Sequence, residues 1–132
     1  MNEQLLHVEH LRTSFKLMDG GTVHAVNGVS LTVKHGEIVG LVGESGCGKS
    51  MTALSIMRLV PPPGKITDGS IMIQGRDLAK LSKKELAKVR GKQIAMVFQD
   101  PLTFLNPVLT VGKQIREAVM LHTELSRKKA DA

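Results

Sequence analysis

The stretch Gly43-Glu44-Ser45-Gly46-Cys47-Gly48-Lys49-Ser50 decides how the rest of this sequence is interpreted. It matches the pattern G-x-x-x-x-G-K-[ST], and it stands between an unbroken apolar run, residues 38–42, and a segment with helical character, residues 49–60. Glycines let the backbone turn its N–H groups inward, and the start of the following helix adds further donors. Strand, glycine-rich loop and helix in this order predict a cradle for nucleotide phosphates. The alternative is an accidental glycine turn.

Each residue of this loop has an expected role. Backbone N–H groups are expected to meet the α- and β-phosphates, with positive φ angles at the three glycines. Lys49 is expected to reach the β- and γ-phosphates, Ser50 to offer its hydroxyl to Mg²⁺, and Met51 to add a backbone donor. Cys47 is interpreted as a tolerated small side chain. The candidate nucleotide-binding residues here are Gly43, Glu44, Ser45, Gly46, Cys47, Gly48, Lys49, Ser50 and Met51.

The flanking pattern predicts an α/β fold with an antiparallel annex, formed by a single domain over residues 1–132. Period-two alternation marks half-buried strands, and unbroken apolar runs mark strands of a parallel sheet covered on both faces. The predicted elements are alternating strands around residues 6–9 and 29–33 with a turn at 19–21, buried strands at 38–42 and 94–98, a buried helix at 49–60, a strand at 70–74, a helix from Ser82 to about Gly91 with a capping box, and a helix at 111–121.

Composition limits the class of protein. The 132 residues are 42% hydrophobic and contain one cysteine, which favours a globular domain from a reducing compartment. No apolar run approaches the length of a spanning helix, and the N-terminus does not resemble a signal peptide. A net charge of +6 suits any anionic partner, but with three phenylalanines and no Tyr or Trp, a nucleic-acid partner is not expected. The lysine-rich stretch 80–92 is interpreted as the outer face of a short helix, with contact to lipid headgroups as the alternative.

A second motif indicates which class of phosphate-loop protein this is. Val97-Phe98-Gln99-Asp100-Pro101 follows the second apolar run and continues as Leu-Thr-Phe-Leu-Asn-Pro-Val-Leu-Thr-Val-Gly-Lys-Gln-Ile. With Ala25-Val-Asn-Gly-Val-Ser-Leu and the glycine-rich loop, this sequence resembles ABC transporter ATPases, and more narrowly the ATP-binding subunits of dipeptide, oligopeptide and nickel importers. The resemblance runs from about Leu5 to Leu121.

The resemblance implies roles beyond the loop. It implies a P-loop NTPase of ABC type that binds ATP and Mg²⁺, with Ser50 and Gln99 as the metal-contacting residues and Gln99 as the Q-loop glutamine. Phe15 stands where the family places an aromatic residue that stacks on adenine, and core packing is the alternative for it. The implied partners are transmembrane permease subunits and a second ATP-binding subunit. The implied location is peripheral, on the cytoplasmic side of the membrane.

The sequence also departs from the family. The signature Leu-Ser-Gly-Gly-Gln, an apolar strand ending in Asp-Glu, and the switch histidine are not found in these 132 residues, so the fold is expected to be truncated before the signature motif. We therefore expect nucleotide binding with little hydrolysis from this chain alone. Phe104 stands where relatives usually carry Ser. The alternatives to an importer subunit are a soluble ABC ATPase that acts on nucleic acid or ribosomes, and a non-functional fragment.

Overall fold

The computed structural model of the chain describes residues 4–100, 105–124 and 127–130, so Phe104 lies outside the described residues. The chain divides into two compact units, Met1–Leu81 and Ser82–Ala132, and its organisation as one domain stays a prediction. The elements are β1 (Gln4–Lys16), β2 (Thr22–Lys34), α1 (Lys49–Ile56), β3 (Lys65–Ile73), β4 (Arg76–Asp77), a 3₁₀ turn (Leu78–Lys80), α2 (Lys83–Val89), α3 (Val111–His122) and α4 (Arg127–Ala130).

The first unit is built on an antiparallel sheet with the strand order β2-β1-β3-β4. A tight turn joins β1 to β2, closed by the bond from Leu17 N to Gly21 O at 2.8 Å. On the central strand, Val8 lies opposite Leu31 of β2 and Ile71 of β3, and both Val8 and Ile71 are fully buried. The sheet is the predicted antiparallel annex, with strands longer than the alternation alone indicated.

Helix α1 is shorter than the predicted segment 49–60. Arg58 adopts a left-handed φ of 53°, and the bonds Arg58 N to Ser55 O and Leu59 N to Leu54 O, at 2.9 and 2.8 Å, form a Schellman-type C-terminus. The Arg58 guanidinium donates to the carbonyl oxygens of Leu78 and Leu81, at 2.9 and 2.6 Å. The helix therefore ends four residues early because its C-terminus is anchored to the chain beyond β4.

The second unit contains the two predicted helices of its sequence. Ser82 begins α2 with a capping box, in which Ser82 N donates to Glu85 Oε2 at 2.8 Å and Glu85 N to Ser82 Oγ at 3.3 Å. Thr110 caps α3, which spans Val111–His122. Both predicted helices and the capping box are confirmed, and the Thr110 cap is a feature that was not predicted. Among the described residues, no helix combines the length and the apolar character needed to cross a bilayer.

The two predicted parallel strands are not formed. Residues 38–42 and 94–98 have no strand assignment, apart from an isolated parallel bridge between Arg90 and Ile94. The side chains of Ile38, Val42 and Val97 are 98%, 93% and 91% exposed. The prediction of buried strands is wrong for this structure, because a strand requires a hydrogen-bonding neighbour and no other described strand pairs with either segment.

The exposed apolar side chains lead to a testable expectation about self-association of the chain. Unpaired backbone and apolar side chains at 38–42 favour pairing with another copy, so we expect the isolated chain to self-associate. A double substitution Ile38→Asp and Val42→Asp should shift the chain towards monomer in light scattering. Met18→Asp is the matched control, since Met18 is fully exposed in the β1–β2 turn. A monodisperse monomer for the parent chain would contradict this expectation.

Candidate functional site

The glycine-rich loop folds back on itself before α1 begins. Cys47 N donates to Glu44 O at 3.3 Å, which closes a turn within the loop. Gly46 and Gly48 have positive φ angles of 81° and 95°, as predicted. Gly43 was also predicted to have a positive φ, and here the prediction is wrong. A Cβ on Gly43 would instead lie 2.5 Å from Cys47 Sγ, so the small residue accommodates the close approach of the cysteine side chain.

Gly48 carries the tightest backbone requirement of the loop. It is the residue that precedes α1, with φ 95° and ψ 5°, and a Cβ there would lie 2.5 Å from the carbonyl oxygen of Ala25 on β2. Left-handed backbone and a close backbone neighbour each exclude larger residues. Gly46 shares the left-handed backbone but has open space around it. The loop is therefore seated against the sheet at Gly48.

Lys49 places its ammonium group across the loop. Its Nζ donates to the carbonyl oxygens of Gly43 and Glu44 at 2.6 and 2.7 Å, and it lies 3.6 Å from Cys47 Sγ. As the first residue of α1, Lys49 reaches back over the residues that precede it in the sequence. A positive charge is thereby held at the centre of the loop by neutral acceptors, which an anion with stronger acceptors can replace.

The N-terminus of α1 is suited to an anion. No side chain caps it, and its first turn contains no acidic residue, so the positive end of the helix dipole keeps its free backbone donors. Ser50 lies in this turn with an exposed side chain. Thr52 turns inward and donates its hydroxyl to Gly48 O at 2.9 Å, which braces the first turn. Sequence reasoning did not single out Thr52, since a threonine within a helical segment carries no distinctive signal.

The donor set fits Mg²⁺ bound together with a phosphate ligand. A serine hydroxyl is a hard oxygen ligand, and Mg²⁺ commonly takes few protein ligands beside phosphate oxygens and water. No cluster of three or more His, Cys, Asp or Glu residues suited to a metal ion occurs in the described part of the chain. Ser50 is thus a candidate metal contact that would need phosphate oxygens beside it.

The other candidate residues lie apart from the loop in the sequence. Phe15 stands near the end of β1, half-buried, and a Cβ on Gly64 would come within 2.5 Å of its ring and within 2.7 Å of Val60. The ring therefore packs against Gly64, in the segment that follows α1. Gln99 is exposed and belongs to the second unit. The structure brings Gly43, Cys47 and Lys49 together, while the roles of Phe15 and Gln99 stay predictions.

Comparison with known proteins shows the family. A sequence model of the family described as ABC transporter matches residues 26–132. The chain belongs to the ABC transporter family. Over 96% of the chain, the fold resembles the solved dimeric structure of MJ0796, a bacterial ABC transporter cassette, with a TM-score of 0.78, 26% identity and 52% of that chain covered. The predicted ABC-type α/β class is confirmed, and the fold corresponds to about half of the solved cassette.

Curated relatives with similar sequences are named as peptide-transport ATP-binding proteins. It is 52% identical over 97% of its length to the dipeptide transport ATP-binding protein DppD of Bacillus subtilis, of which it covers 38%. It is 49% identical over 96% of its length to the oligopeptide transport ATP-binding protein OppD of the same organism, of which it covers 36%. The chain thus spans less than two-fifths of the length of these relatives.

Alanine substitutions at the loop glycines should lower the free energy of unfolding by different amounts. Gly46→Ala should lower the free energy of unfolding by about 1 to 2 kcal/mol, the cost of a left-handed non-glycine residue. Gly48→Ala should cost more, because the new Cβ also meets Ala25 O. Gly40→Ala is the control: its φ is not positive and nothing lies within 4 Å of an added Cβ, so a change within about 0.5 kcal/mol is expected. Denaturant unfolding measures all three. Equal losses for Gly46→Ala and Gly48→Ala would contradict the close contact with Ala25.

Proposed function

We propose that this chain binds Mg-ATP through residues 43–51, as the nucleotide-binding part of an ATPase subunit that drives peptide import. The observation that carries the proposal is the position of Lys49 Nζ, held over the loop by the carbonyl oxygens of Gly43 and Glu44 beside the uncapped start of α1. A cation and free backbone donors facing the same loop form a binding site for a polyphosphate.

Binding of the phosphates would replace contacts that the loop already makes. The Lys49 ammonium would exchange neutral carbonyl acceptors for β- and γ-phosphate oxygens, which are charged and accept stronger hydrogen bonds. The N–H groups at the start of α1 would take the remaining phosphate oxygens. Ser50 would contribute its hydroxyl to Mg²⁺. The loop is largely pre-formed, since its left-handed glycines and the Thr52 bond to Gly48 O are already in place.

Two residues outside the loop complete the proposed site. Phe15 would stack on adenine, and the packing of its ring against Gly64 would hold that surface in one orientation. Gln99 would contact Mg²⁺ and the γ-phosphate, and its exposed side chain is available for this. Both assignments rest on the family resemblance together with the positions of these residues in the chain.

The transport role is proposed from the relatives. Proteins named for dipeptide and oligopeptide transport are about half identical to this chain over almost all of its length. We infer that the chain acts with transmembrane permease subunits and a second ATP-binding subunit, at the cytoplasmic face of the membrane. The solved cassette that the chain resembles is dimeric, which supports the second subunit. Hydrolysis is assigned to the complete subunit, with this chain supplying the phosphate-binding half of the site.

Substitution of Lys49 tests nucleotide binding. Lys49→Ala should weaken Mg-ATP binding at least about tenfold in a calorimetric titration, equivalent to about 1.4 kcal/mol, because the charge that meets the β- and γ-phosphates is lost. Lys34→Ala is the matched control, since this exposed lysine at the end of β2 also removes one positive charge. Equal affinities for parent and Lys49→Ala would refute the site.

Turnover by the chain alone should be close to background. The acidic residues after Gln99 are Asp100, Glu117, Glu124 and Asp131, and none directly follows an apolar run of the sequence, so no general base is expected from them. We expect steady-state phosphate release far below about one per second, a low value for an enzyme. Lys49→Ala assayed in parallel excludes a contaminating ATPase. Release at that rate or faster by the parent, and not by Lys49→Ala, would show the expectation to be wrong.

A further inference from the structure

Two hydroxyl groups form a hydrogen bond in the core between β1 and α1, the helix that follows the glycine-rich loop. Thr13 on β1 and Ser55 on α1 are both fully buried, and their hydroxyl oxygens are 2.7 Å apart. Ser55 Oγ also donates to Met51 O at 2.7 Å. Because a serine hydroxyl has one hydrogen and a carbonyl can only accept, Thr13 must donate to Ser55 when both bonds are made. A directed chain of hydrogen bonds therefore runs from β1 to the first turn of α1.

These hydrogen bonds join the two parts of the proposed nucleotide site. Phe15 lies two residues beyond Thr13 on β1. Both residues face α1 and the segment that follows it, since Thr13 bonds to Ser55 and Phe15 packs against Gly64. At the other end, Met51 follows directly after Lys49 and Ser50. The bond thus sets how the strand that carries the base-stacking residue is placed against the helix that carries the phosphate-binding residues.

A purely apolar contact would not fix this placement in the same way. Apolar side chains tolerate small shifts, whereas a buried hydroxyl that loses its partner is left unsatisfied. Every buried side-chain nitrogen and oxygen among the described residues has a hydrogen-bond partner, so the pair belongs to a fully satisfied core. A shift between β1 and α1 would break the Thr13–Ser55 bond, which makes it a geometric restraint.

We propose that Thr13 is a positioning residue for nucleotide recognition, which acts through Ser55 to hold Phe15 at the correct distance from the phosphate loop. The inference rests on the proposed function. It predicts different effects on the binding of the nucleoside and of the phosphates. Loss of the bond should weaken the contribution of the nucleoside to binding and leave the binding of the bare polyphosphate unchanged, because the Thr52 bond to Gly48 O braces the start of α1 separately.

The test compares two ligands on the chain with Thr13→Val, which removes the hydroxyl and keeps the shape of the side chain. Affinities for Mg-ATP and for magnesium tripolyphosphate are measured by calorimetry. We expect the affinity for Mg-ATP to fall roughly threefold to tenfold, as for loss of one buried hydrogen bond, with the affinity for tripolyphosphate unchanged. Ser14→Ala is the matched control: it removes the neighbouring hydroxyl, which bonds to His24 Nδ1 at 2.8 Å, and should leave both affinities unchanged.

A second comparison identifies the route of the effect. In a Phe15→Ala background, where the base contact is already lost, Thr13→Val should cause no further loss of Mg-ATP affinity. If Thr13→Val prevents folding, Thr13→Ser and Thr13→Ala carry the same test, since only the serine variant keeps the hydroxyl and should keep the parent's ratio of the two affinities.

Several results would overturn the inference. Equal losses for the two ligands would mean that Thr13 supports the loop itself, and no loss for either would mean that the bond serves the core alone. Additive losses with Phe15→Ala would rule out an effect through Phe15. In each of these cases the parent still binds nucleotide, so the proposed function stands. A parent chain that binds neither ligand would overturn both.

Discussion

The contact between Gly48 and the Ala25 carbonyl is the constraint on which the loop depends. A glycine in left-handed conformation lets the chain pass close to β2 and then enter α1 without a side chain in the way. The position of the first helical turn follows from this contact, and with it the position of Lys49, whose ammonium folds back over the loop. The antiparallel sheet therefore acts as the support for the loop, although none of the loop residues belongs to a strand.

The features that could be predicted from the sequence are those with a local cause. The capping box at Ser82 and Glu85 and the turn at 19–21 are each specified by residues within a few positions of one another. The glycine-rich loop belongs to the same class. Its pattern predicted the left-handed conformations at Gly46 and Gly48, which the structure contains.

Features that depend on distant partners could not be predicted in this way. The apolar run at 38–42 indicates the environment that these side chains favour, but a strand forms only where a neighbour offers hydrogen bonds. Helix α1 is a related case. The sequence predicts a buried helix here, yet two of its buried residues are the polar Thr52 and Ser55. Ser55 bonds to Thr13, 42 residues earlier in the chain, and no periodicity reveals such a pair.

The buried hydroxyls of Thr13 and Ser55 add little to stability but restrain how β1 and α1 are placed against each other. Replacing a satisfied polar pair by apolar side chains of the same shape is often close to neutral for stability, because the hydrogen bond mainly offsets the cost of removing both groups from water. Stability alone therefore gives little reason for Thr13 and Ser55 to be polar. A directional bond differs from an apolar contact in that it is lost when the two elements shift, and apolar packing is not. In the proposed site, a strand residue would meet one end of the nucleotide and a helix terminus the other. There the difference would bear on recognition, since the ligand has a fixed length and the protein must match it.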